Sequence, residues 1–131
     1  MRHLKVPALV MLALCSAMAA AQPAGQVQTV TVTLSNFRFT PSTLTLQRGQ
    51  SYRLHFVNSA SGGHNFVAKS FFASSAIAPE DRGKVKDGEL ALHGGQSVDI
   101  LLVPGQAGTY ESHCSHFMHS SFGMKGTVIV Q

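Results

Sequence analysis

The sequence predicts an all-β sandwich made of short strands. Two features carry that expectation: apolar and polar residues alternate over short stretches, and turn-forming residues separate the stretches. Val30, Val32 and Leu34 alternate with Thr, Leu44 and Leu46 with Thr43, Thr45 and Gln47, and Tyr52, Leu54 and Phe56 with Arg53 and His55. A period of two marks a strand with one buried face. Thr40-Pro41-Ser42, Arg48-Gly49-Gln50 and the run from Asn58 to Gly63 supply the punctuation. A second block repeats the pattern with Val98, Ile100 and Leu102, then Pro104 to Gly108, Tyr110 onward, and Thr127 to Val130. Seven or so short strands suggest a sandwich.

Phe71 to Gly88 shows little alternation and carries a cluster of charges from Glu80 to Lys84. It reads as a crossover with one or two helical turns, covering one side of the sandwich.

The chain has 131 residues, 44% of them apolar and 12% charged. That is one domain, able to bury about two-thirds of its unfolded surface, which argues against intrinsic disorder. Residues 1–21 read as a secretory signal peptide: Arg2, His3 and Lys5 form the positive region, Val6 to Leu14 the apolar region, and Ala19-Ala20-Ala21 the cleavage site. The domain then spans 22–131, with a periplasmic or secreted location. The apolar run is shorter than the roughly 20 residues of a membrane span and contains Pro7. Leu14 before Cys15 argues against a lipid anchor there, because a small residue usually precedes a lipidated cysteine. Removing Arg2 and Lys5 takes Lys and Arg from ten to eight against six acids, a net charge of +2. Such scattered charge offers no nucleic-acid face.

With Cys15 lost, Cys114 stands alone in an exported protein, where an exposed thiol would be oxidised or cross-linked. It needs a reason. The segment from Gly108 to Gly126 holds one Cys, three His and two Met between two expected strands. Thiolate, imidazole and thioether together suit copper, and two His, one Cys and a weak axial Met are the blue-copper arrangement. The spacing Cys114-x4-His119-x4-Met124 lets one loop wrap a single ion. The remaining ligand must come from elsewhere, and His64, between Gly62-Gly63 and Asn65-Phe66, is the candidate. His116 and Met118 stand as alternatives within the loop, since residues i and i+2 of a strand share a face. His113 is a poorer candidate, next to Cys114 and so on the opposite face. His55, on an outer strand face, and His93, in the turn with Gly94-Gly95, read as structural. Phe117, Met118 and Phe122 read as core or as an apolar rim about the second His.

Phe39-x-Pro41-x-x-Leu44-x-Leu46-x-x-Gly49, Val57-Asn58 to His64-Asn65-Phe66, and Gly108-Thr-Tyr110 to Gly123-Met124-Lys-Gly126-Thr together resemble the cupredoxins, the small blue copper proteins. The likeness covers essentially all of 22–131. It implies a Greek-key β-sandwich of about eight strands with copper at one end. It also implies His64, Cys114 and His119 as strong ligands, Met124 as the weak axial ligand, and Asn65 as a hydrogen-bonding tie between the two ligand segments. The stretch His116-Phe117-Met118 stands where relatives with this spacing often carry a Pro-Gly turn.

The expected function is a monomeric one-electron carrier cycling Cu(II)/Cu(I) and serving redox partner proteins. It is not an enzyme, because four protein ligands leave no open coordination position. The rival is a periplasmic copper-handling or copper-resistance protein, supported by the surplus ligands His113, His116 and Met118.

Overall fold

The computed structural model describes residues 25–116 and 121–131; the signal peptide expected at 1–21 lies outside them. Among the described residues ten strands form two five-stranded sheets. The strands are β1 (Gln28–Ser35), β2 (Arg38–Thr40), β3 (Thr43–Leu46), β4 (Tyr52–Asn58), β5 (His64–Val67), β6 (Ser75–Ile77), β7 (Glu89–Leu92), β8 (Ser97–Pro104), β9 (Gly108–His113) and β10 (Lys125–Val130). One sheet has the order β2-β1-β4-β8-β6 and the other β3-β10-β9-β5-β7. The result is a Greek-key-like sandwich. The pairs β1·β4 and β3·β10 are parallel and the rest antiparallel. Two of the ten strands, β2 and β6, have three residues each, too few for a period of two to show in the sequence.

Alternation in sequence becomes alternation in burial. Leu44 and Leu46 of β3, Tyr52, Leu54 and Phe56 of β4, Ile100 and Leu102 of β8, and Val128 and Val130 of β10 face inward. Phe66 of β5 sits at the centre of the core, with ring centroids 5.1 Å from Phe56, 5.2 Å from Phe39 and 6.1 Å from Phe72. Each buried Phe contributes about 1.5–3 kcal/mol by leaving water, and tilted and edge-on ring pairs add to that.

The crossover holds α1 (Lys69–Ala73), β6 and a single 3-10 turn at Arg82–Lys84. Asp81 fastens it to the sheet: its carboxylate accepts the Leu101 N–H at 2.8 Å and a Lys84 ammonium proton at 2.6 Å. Burial pushes the Asp81 carboxyl up, but the bonds from Lys84 and Leu101 outweigh burial and hold it below the usual aspartate value. Among the described residues no helix is long and apolar enough to cross a membrane.

The chain changes sheet at every connection between consecutive strands except β1 to β2 and β9 to β10. As a consequence the ends of β4 and β9 and the starts of β5 and β10 gather at one end of the sandwich.

Candidate metal centre

Asn58, the last residue of β4, organises that end. It is fully buried. Its Nδ2 donates to the carbonyls of Gly62 at 2.8 Å and His93 at 3.0 Å, and its Oδ1 accepts the Ala60 N–H at 3.0 Å. One amide thus joins the β4 to β5 connection to the turn after β7 and fixes where the chain enters β5. His64 is delivered there as the first residue of β5, inside the sheet rather than in the preceding turn. It is 2% exposed and shares the inward side of β5 with Phe66.

Cys114 follows β9 and keeps the parity of Ser112, which is buried, while His113 between them is exposed. The Cys114 side chain is fully buried, with Sγ 3.9 Å from Nδ1 of His64. Met124, also fully buried, stands just before β10, and its carbonyl accepts the Cys114 N–H at 3.1 Å. Gly123 before it has φ +95°, a conformation that side chains disfavour, so a glycine is required to turn the chain into Met124. The structure therefore brings His64 and Cys114 together and joins Met124 to Cys114 through the backbone.

His119 and Met118, with Phe117, fall outside the described residues. His116 is exposed, and its ring stacks on that of His64 with centroids 6.2 Å apart and planes 29° apart. His55 pairs with Asp99 on the outer face, Nδ1 to Oδ1 at 2.5 Å, and His93 is exposed in its turn. Phe122 is 60% exposed and packs against Phe37, with centroids 5.3 Å apart. Among the described residues no group of three His, Cys, Asp or Glu side chains gathers as a metal site. The expected ligand set contains only two such residues within the described part, His64 and Cys114.

Asn65 points to the other side of β5 from His64. Its Oδ1 accepts the Ser115 N–H at 2.7 Å and its Nδ2 donates to the Ser115 hydroxyl at 2.6 Å. This bond pair ties the His64 strand to the Cys114 segment. Sequence reasoning passed over Asn58 as an organiser of this end, although a polar residue closing an inward-alternating strand was a visible signal.

The donors present fit a soft or borderline metal: a buried sulfur facing an imidazole nitrogen, with a buried thioether residue next to them in the fold. The family described as the cupredoxin-like domain matches residues 8–130. The chain belongs to the cupredoxin family. A copper-resistant cuproprotein, CopI, of Rubrivivax gelatinosus is 31% identical to this cupredoxin over 110 residues, covering 79% of the chain and 67% of the relative. The fold is similar to that of reduced auracyanin from Roseiflexus castenholzii, with TM-score 0.60 and 20% identity over 79% of this chain and 97% of the other. Auracyanin B gives TM-score 0.56 and 24% identity, with 86% and 93% covered.

Proposed function

We propose that the chain is an exported protein that binds one copper ion through His64, Cys114, His119 and Met124 and serves as a one-electron carrier. The observation that carries this reading is the burial of Cys114 Sγ 3.9 Å from His64 Nδ1, at the end of the sandwich where Met124 also lies. A bound copper would supply a single Cu(II)/Cu(I) couple. The protein's part is to hold its donors still. His64 is fixed by its strand and by the Asn58 amide, and Cys114 by its backbone bond to Met124 and by the Asn65 tie. Donors held in place in both oxidation states keep the rearrangement on electron transfer small. Four protein ligands would fill the coordination sphere, which suits a carrier better than an enzyme.

The same site supports a second reading, copper handling. His116 is exposed and stacked on His64, so a further donor stands at the mouth of the site, and one relative is named a copper-resistant cuproprotein.

The visible and EPR spectra after addition of Cu(II) test the site: an intense thiolate-to-copper band is expected, and a colourless protein that binds no copper would remove both readings. Fast electron self-exchange with slow copper release to a chelator is the carrier's result. Rapid release is the handling protein's.

A further inference from the structure

We infer that Glu89 is a positioning residue for the metal centre, acting through Asn65 on the segment that carries Cys114. The inference rests on the proposed metal site for its functional half and on geometry alone for its structural half.

Glu89 is the first residue of β7, which pairs with β5 in the register Val67↔Glu89 and Asn65↔Ala91. Glu89 and Asn65 are therefore diagonal neighbours on one face of the sheet, a separation that a long side chain can bridge. The Glu89 Oε1 accepts the Asn65 Nδ2–H at 2.7 Å. The strand is brought to that register by a tight reversal at Lys86-Asp87-Gly88-Glu89. Lys86 and Glu89 exchange both backbone hydrogen bonds at 2.9 Å, and the two central residues have φ +52° and +76°. Asp-Gly is the pair that such a turn prefers. A Cβ on Gly88 would come 2.5 Å from the Cα of Lys69, so this reversal also has no room for a larger residue.

The chemistry of the contact decides what it does. The Asn65 amide has two nearly isosteric orientations. In the observed one, Nδ2 donates to both Ser115 Oγ and Glu89 Oε1, and Oδ1 accepts the Ser115 N–H. In the reversed one, Oδ1 would face the carboxylate and Nδ2 would face the Ser115 N–H, acceptor against acceptor and donor against donor. An ionised carboxylate only accepts, so Glu89 adds to the Ser115 N–H in favouring the orientation that holds Ser115. The bond is charge-assisted and stronger than a neutral one, and Asn65 is 1% exposed. Ser115 is bonded to Cys114, so the carboxylate on β7 sets how firmly the thiol segment is held against the strand of His64.

The test is amide hydrogen exchange on the metal-free protein, with Val128 as an internal reference, beside copper release to a chelator from the loaded protein. In Glu89→Ala, Ser115 exchange relative to Val128 should rise about tenfold. Glu89→Gln, which keeps an acceptor oxygen, should restore most of the protection. Copper release should quicken in the Ala variant and return toward the parent in the Gln variant. Unchanged Ser115 protection in Glu89→Ala overturns the inference. Lost protection with unchanged copper release overturns its functional half. A parent that binds no copper removes the proposed function, while the exchange result still decides whether Glu89 holds the Asn65 amide.

Discussion

Cys114 and His64 are 50 residues apart in sequence, yet the sulfur of one lies 3.9 Å from a ring nitrogen of the other, with both side chains buried. We predict that Cys114→Ser abolishes the visible band of the copper-loaded protein and leaves the sandwich folded. The buried hydroxyl should cost about 1–3 kcal/mol. Visible absorption and far-ultraviolet circular dichroism on the same sample check this, and a variant with full colour would displace Cys114 from the site.

The loop register is decided by two further variants. His119→Gly should open a coordination position that added imidazole refills, recovering the spectrum, while His116→Ala should leave the spectrum nearly unchanged. The reverse pattern would assign the ligand role to His116, whose ring already stacks on His64.

An axial thioether bonds weakly and tunes the potential more than it holds the ion. Met124→Leu should therefore keep copper and colour and raise the reduction potential, and Met124→Gln should lower it. Protein-film voltammetry of both beside the parent and Met118→Ala makes the comparison. A shift confined to the Met118 variant would transfer the axial role.

Asp81 predicts how stability depends on acid. Its carboxyl is held below the ordinary value near 3.8, so its contribution is complete above the unfolded value and is lost as pH falls through the folded one. Asp81→Asn should destabilise the protein at pH 7 by about 1 kcal/mol, a modest figure because Lys84 is half exposed and its share is screened. At pH 3 the gap between variant and parent should narrow. Urea midpoints at the two pH values measure it, and an equal gap at both would refute the assignment.

Gly126 tests how closely the strands pack behind the site. A Cβ there would come 2.7 Å from the Ser42 carbonyl oxygen and 2.8 Å from the Ser112 Oγ. The carbonyl also accepts the Thr127 N–H at 2.8 Å and cannot easily yield. Gly126→Ala should cost about 1–3 kcal/mol in thermal or urea unfolding.

Much of the fold was legible because one-sided burial writes a period of two into the sequence, as in Tyr52, Leu54 and Phe56. The short strands β2 and β6 were not, since three residues cannot show a period. β5 hid for a different reason: His64, Asn65, Phe66 and Val67 are all buried, and a strand covered on both faces has no alternation to read. For that reason the sequence showed no strand at His64, which begins β5. The crossover was recognised as irregular, but its Asp87-Gly88 reversal is a local turn signal that its charged surroundings obscured. Glu89 bonds to Asn65, 24 positions away, and spacing along the chain carries no trace of such a bond, whereas Asn58 did leave a signal as the polar residue closing an inward-alternating strand.

The meeting of β5 with β9 at Val67↔His113 has a consequence for the order of assembly. The pairing spans 46 positions of chain, so closing that loop costs entropy before any contact across it is made. Folding dominated by such distant pairings is slow, and the unfolded chain has no cluster in which His64 and Cys114 are neighbours. On the proposed reading, the nascent polypeptide offers an incoming ion only the loop residues, and His64 joins Cys114 and Met124 only after β5 has paired beside β9 and β10 in their common sheet. An ion that binds the closed state alone shifts the folding equilibrium toward it by mass action. If the site binds as proposed, the rate of acquiring metal in a refolding experiment should follow the pairing of β5 with β9 rather than ion concentration once the ion is in excess.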